Sequence, residues 1–202
     1  LCLEEPCYGT SATAIERIDD NQPKYIRITD FDDFGIEENH KYMAAESYSS
    51  KHLLRKNDII FARTGGTVGK TYFYDGEIGP AVFAGYCIRS RFDENKVIPK
   101  FVYWYTKTDM YQKWVNGIQR PAGQPNINKE EYKSFEIVLP SIDIQQKLVD
   151  FMDDANLSRQ NKTDQSESLL SSMNEYIFDK LNLSHISFEE RLCCAIRLSN
   201  IV

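Results

Sequence analysis

The chain of 202 residues is 42% hydrophobic and 12% aromatic, which suits one compact domain with an appendage or two very small domains and excludes a disordered polymer. No run approaches the roughly 18 consecutive apolar residues that a membrane helix needs, and the opening Leu1-Cys2-Leu3-Glu4-Glu5 is acidic where a secretory signal would be basic. The net charge of −6 is unevenly spread: residues 1–50 carry −7, 51–133 carry +6 and 134–202 carry −5, so a basic middle can still face a phosphate backbone, weakly in the isolated chain.

In chain order, residues 1–24 read as loop and turn. Tyr25-Ile26-Arg27-Ile28-Thr29 alternates apolar and polar, as a half-buried strand does. The acidic stretch 30–38, with Gly35, is a loop, and 42–48 suits one or two helical turns. Ile59-Ile60-Phe61-Ala62-Arg63 is a strand. Thr64-Gly65-Gly66-Thr67-Val68-Gly69 is a tight turn, its glycines supplying positive φ without steric cost. Lys70-Thr71-Tyr72-Phe73-Tyr74 returns as a strand, and residues 81–84 and 86–90 add two more. Short strands at this spacing predict a curled, mainly antiparallel sheet or open barrel.

Pro99 opens a helix that Gly117 ends, and its aromatics Phe101, Tyr103, Trp104, Tyr105, Tyr111 and Trp114 read as core. A polar loop follows over 119–127. Asn128 then caps a short helix, with Glu131 closing a capping box, and Phe135-Glu136-Ile137-Val138-Leu139 is a last strand ended by Pro140. Residues 141–182 hold no Pro and no Gly. Ile144, Leu148, Phe151 and Ala155, then Leu169, Met173, Tyr176 and Lys180, form a heptad-like seam. A helix of that length runs about 63 Å at ~1.5 Å per residue. It is too long to lie on a domain of this size and is expected to project and pair. Residues 183–202 end in a strand-like piece that looks like the opening of a further unit.

The residues offer little catalytic chemistry. Gly65-Gly66-Thr67-Val68-Gly69-Lys70-Thr71 is one residue too short for a phosphate loop, and a strand follows where that chemistry needs a helix N-terminus. Two readings of the turn stay open: a presentation of backbone NH groups, Arg63, Thr64 and Lys70 to a DNA backbone, or a purely structural hairpin. Glu94-Asn95-Lys96 and Glu131-Tyr132-Lys133, with Asp75 or Asp109 upstream, match the carboxylate pattern of a Mg²⁺ nuclease. Such triplets are common in a chain that is 27% charged. The base-methylation cluster (Asn/Asp-Pro-Pro-aromatic), Gly-x-Ser-x-Gly and His-Glu-x-x-His are absent. Cys2, Cys7, Cys87, Cys193 and Cys194 lack zinc spacing and read as reduced thiols. Gln119, Arg120, Gln124 and Asn126 are side-chain types that make bidentate contacts to guanine and adenine edges, on a loop stiffened by Pro121 and Pro125. The alternative for that loop is an ordinary polar surface.

Four segments, in order, resemble the specificity (S) subunits of type I restriction–modification systems. Tyr8-Gly9-Thr10-Ser11-Ala12 followed by Tyr25-Ile26-Arg27-Ile28-Thr29-Asp30 looks like the opening of a target-recognition domain. Leu54-Arg55-Lys56-Asn57-Asp58-Ile59-Ile60, leading to Arg63-Thr64-Gly65 and Gly69-Lys70, resembles the family's Gly-Asp-Ile…Arg-x-Gly…Gly-Lys stretch, with Asn57 where Gly is usual. Gly123-Gln124-Pro125-Asn126-Ile127-Asn128 resembles the loop before the final strand. Leu139-Pro140-Ser141-Ile142 with Gln145-Gln146-Lys147-Leu148 looks like the entry to the conserved helix, with Ser141 and Gln145 as departures.

The resemblance implies an α+β fold: a recognition domain over residues 1–140, a spacing and dimerisation helix over 141–182 and a tail over 183–202. Its implied function is that of a non-catalytic, cytoplasmic subunit. It would direct DNA methyltransferase subunits and a restriction motor-nuclease subunit to a bipartite site on double-stranded DNA. No metal or cofactor is expected in this chain, S-adenosylmethionine residing on the methyltransferase subunit. The expected DNA-contacting set is Tyr8, Thr10, Ser11, Arg27, Arg63, Thr64, Gly65, Lys70, Gln119, Arg120, Gln124 and Asn126. The expected helix seam is Ile144, Leu148, Phe151, Leu169, Met173 and Tyr176. With one domain and one helix, the chain is half of the family plan: the front of a longer subunit, or a half-subunit that dimerises. The alternatives are the recognition part of a type IIG or IIB restriction–methylation enzyme, and a coiled-coil interaction domain that binds no DNA.

Overall fold

The computed structural model describes residues 1–36, 40–119 and 125–181. The chain divides into two compact units, Leu1–Phe151 and Met152–Val202. In the first, β1 (Cys7–Tyr8), β8 (Cys87–Ser90), β5 (Asp58–Ala62) and β6 (Thr71–Tyr74) form a four-stranded antiparallel sheet in the order β1-β8-β5-β6. Two small pairs flank it: β2 (Ala14–Ile15) with β4 (Ala44–Ala45), antiparallel, and β3 (Lys24–Ile26) with β7 (Ala81–Phe83), parallel. The fold is thus mixed α/β around an antiparallel sheet, not a closed barrel.

Alternation along β5 divides the core. Ile59 and Phe61 point to one face, beneath α1 (Pro99–Tyr105), α2 (Asp109–Ile118) and α3 (Lys129–Lys133). Ile60 and Ala62 point to the other, with Ile26, Phe31, Phe83 and Cys87. Both faces of β5 are covered, and all five of its residues are buried. The aromatic cluster is core, as its composition suggested: Tyr111 and Trp114 pack on Phe135, and Trp114 on Tyr132.

Several elements differ from the sequence reading. Residues 1–24 contain β1 and β2, and residues 42–48 contain β4 where helical turns were expected. The single helix from Pro99 is two: Thr106 Oγ1 donates to the Tyr103 carbonyl and Thr108 caps α2 through the Tyr111 amide. Gly117 lies inside α2, which runs on to Ile118. Residues 135–139 form no strand. The helix after Pro140 is α4 (Ile142–Lys180), and the tail 183–202 lies outside the described residues. Among the described residues no helix is long and apolar enough to cross a membrane.

Two departures from the family pattern have physical explanations. Asn57 has φ 72°, a left-handed conformation that Gly occupies most easily and Asn tolerates better than most residues. Gln145 is 1% exposed at the start of α4. Its Oε1 accepts the Ile98 amide at 2.9 Å and its Nε2 donates to the Pro140 carbonyl at 2.8 Å. A carboxylate could accept the first bond but could not donate the second.

Candidate nucleic-acid interface

The turn after β5 and the loop before α3, distant in sequence, meet in space. The Arg63 carbonyl accepts the Ile127 amide at 2.8 Å, and the Gly65 amide and Thr64 hydroxyl both donate to the Pro125 carbonyl, at 3.2 and 3.1 Å. Thr64 and Asn126 form an antiparallel bridge. The Arg63 amide also donates to the Tyr86 carbonyl, at 3.0 Å.

The turn is fixed from beneath. Gly65 (φ 74°) and Gly69 (φ 86°) provide its left-handed corners around a 3₁₀ turn, Gly65–Thr67. A Cβ on Gly69 would lie 2.7 Å from a methyl of Val115 in α2. Two buried phenols hold its base: Tyr111 donates to the Gly69 carbonyl and Tyr132 to the Ala62 carbonyl, each at 2.8 Å. Burial raises both phenol pKa values, so both remain protonated donors. α3 carries Tyr132 and is itself set by the expected capping box, Asn128 accepting from the Glu130 and Glu131 amides while Glu131 accepts the Asn128 amide.

The candidate contacts separate by what already occupies them. Arg63 is half-buried, its guanidinium 4.8 Å from the Tyr8 ring centre, and its Nε has no hydrogen-bond partner. Among the described residues no carboxylate pairs with it. Tyr8 is held in turn, its hydroxyl accepting the Lys129 amide. Arg27 by contrast is bound twice to the buried carboxylate of Asp30, at 3.1 and 2.8 Å. Lys70 lies 3.7 Å from Asp33. Thr10 is buried and donates to the Ser47 carbonyl, so its hydroxyl serves the fold. Thr64 is buried, with its hydroxyl on Pro125. Ser11 and Asn126 are exposed, and Gln119 is half-buried at the C-terminus of α2. Arg120 and Gln124 lie outside the described residues. The nuclease-like triplets are otherwise engaged: Lys96 pairs with Asp93, and Glu131 caps α3.

A family model described as type I restriction modification DNA specificity domain matches residues 9–180. The chain belongs to this family. Its solved neighbours share the fold at low identity. The HsdS subunit from Thermoanaerobacter tengcongensis is 15% identical with a TM-score of 0.59, over 89% of this chain and 45% of that one. A chain from a study of complex assembly and conformational transition of the type I R-M system is 14% identical with a TM-score of 0.58, over 87% and 42%. The specificity domain therefore spans less than half the length of these structures. No curated protein sequence matches it.

Sequence reasoning missed two parts of this edge. It chose the 63–70 turn and the 119–126 loop separately, because no local pattern announces that they pair. It also read Tyr86 as the start of a strand. Tyr86 instead stands 62% exposed on the turn between β7 and β8, and the Ala84-Gly85 pair before it was the available signal.

Proposed function

We propose that this specificity domain reads duplex DNA by sequence and carries no catalysis of its own. It would direct methyltransferase subunits, which bring S-adenosylmethionine, and a motor-nuclease subunit to a bipartite site. The observation that carries the reading is the joined edge. The Arg63 turn and residues 125–127 form one hydrogen-bonded surface, and of Arg27, Arg63 and Lys70 its arginine is the one that no carboxylate holds among the described residues. An arginine braced on an aromatic ring, with donors to spare, suits a guanine edge or a phosphate. Gly65 and Gly66 leave the turn without side chains, so backbone can approach closely.

The half-length match supports a chain that either continues into a second recognition domain or pairs with a copy of itself. α4 offers the means: Ile144, Leu148 and Phe151, and separately Leu169, Met173 and Tyr176, are all exposed, a surplus of apolar surface on one helix that suits a helical partner. An antiparallel pair would place two identical domains on a palindromic bipartite site.

Electrophoretic shift with wild type and Arg63→Ala tests the reading, with and without a methyltransferase subunit. If Arg63 reads a base, the variant loses about 1–3 kcal/mol and relaxes specificity at one position; if it grips phosphate, affinity falls evenly and the salt slope drops by about one. Equal binding by both proteins under all conditions removes Arg63 from the interface.

A further inference from the structure

We infer that Tyr86 is a base-contacting aromatic of this edge, acting beside Arg63; the inference rests on the DNA-reading proposal. Three features carry it. The first is register. β5 and β8 pair Phe61 with Ile88 and Ala62 with Cys87, so Arg63 and Tyr86 are the next opposed pair, joined by the Arg63 amide on the Tyr86 carbonyl. Directly opposed residues of an antiparallel pair project from the same face. β1 sets Tyr8 opposite Ile88 on that face. Phe61, Ile88 and Tyr8 form one row of that face, packed against the helices, and one step further the face continues as Arg63 and Tyr86.

The second feature is rigidity. The Tyr86 backbone is held on both sides: the Gly85 amide donates to the Thr10 carbonyl at 2.7 Å and the Cys87 amide to the Ala84 carbonyl at 2.8 Å. Beside this turn the chain leaves no room at Gly9, where a Cβ would stand 2.3 Å from the Ala84 carbonyl oxygen. A phenol carried on fixed backbone loses only its own rotamer freedom on binding.

The third is exposure. Tyr8 packs against the core and braces Arg63, whereas the Tyr86 ring stands in solvent. No described hydrogen bond or ring partner engages it. A solitary exposed tyrosine is ordinary on any surface. One fixed beside an arginine that meets no carboxylate among the described residues, on the edge where two family motifs converge, presents an apolar ring next to a cation. That is the chemistry of an aromatic wedge or stacking platform against a base step.

The test uses the duplex that wild type enriches from random-sequence DNA. Tyr86→Ala is expected to melt as wild type does and to bind that duplex about 5- to 150-fold more weakly, with its salt slope unchanged. Tyr86→Phe is expected to bind as wild type. Full affinity in Tyr86→Ala overturns the inference while leaving the DNA-reading proposal intact. Loss in Tyr86→Phe equal to that in Tyr86→Ala also overturns it, because the hydroxyl and not the ring would be the contact. Enrichment of no sequence by wild type removes the DNA-reading proposal, and this inference with it.

Discussion

At the residue scale, the Tyr-Gly-Thr-Ser opening owes its composition to packing. Tyr8 braces Arg63 and receives the Lys129 amide, Gly9 lets strand carbonyls pass, and Thr10 ties the segment to Ser47. A motif read from sequence as a DNA contact thus contains buried parts, because residue type alone does not tell a hydroxyl that meets DNA from one that meets a carbonyl. Arg63 was legible as a candidate; its freedom was not, since the pairing of Arg27 with Asp30 and of Lys70 with Asp33 depends on the acidic loop's path. The phenols under the turn give a first prediction. Tyr132→Phe removes one of two donors on the buried Ala62 carbonyl, which keeps the Gly69 amide, and should cost about 0.5–1.5 kcal/mol in urea unfolding. The amides of the 63–70 turn should then exchange faster. Unchanged stability and exchange would mean that the turn does not depend on this bond.

Lys107 gives a second. Its ammonium donates to the Thr71 carbonyl and lies 4.5 Å from the Tyr103 ring centre. Burial lowers its pKa to about 8, with Lys70 adding to the fall and Asp33 and Asp32 opposing it. The unfolded chain keeps its proton to near the ordinary lysine value, so between those two values the unfolded state binds more protons than the folded one. Stability relative to Lys107→Met should therefore rise as pH increases from 8 toward 10. The difference between the two proteins isolates this group from the tyrosines, and a flat difference over that range would refute the assignment.

At the element scale, long signals were legible and short ones were not. β5, β6, β8, the capped α3 and the uninterrupted α4 all show in sequence because they span enough residues for a period or carry a cap. β1, β2 and β4 are two residues each, and pairing partners set them, not local pattern. Residues 135–139 alternate as a strand should, yet no strand forms there. Phe135 and Ile137 pack on the helical core while Val138 stays exposed. The start of α4 lies in the first compact unit, Leu1–Phe151. Val149 is 4% exposed within the helical core, and Gln145 satisfies the Ile98 amide. A chain ending at residue 151 should therefore unfold cooperatively, whereas one ending at 140 should be destabilised by about 2–5 kcal/mol, the cost of emptying a core site and orphaning a buried amide. Equal denaturation midpoints would show that these α4 turns are dispensable.

At the scale of the whole molecule, net charge is a poor guide, because −6 conceals a basic middle whose Arg63 meets no carboxylate among the described residues. The family was legible from four weak motifs in order. The joined edge was not, because its two halves are some sixty residues apart in sequence, as the Thr64 bond to Pro125 shows. DNA recognition is tested most directly by sequencing duplexes retained from a random-sequence pool, with the chain alone and with a methyltransferase subunit. The account predicts enrichment of one motif with the methyltransferase subunit present, palindromic and bipartite if two copies pair through α4, and loss of enrichment in Arg63→Ala. Failure to enrich any sequence under either condition would contradict it.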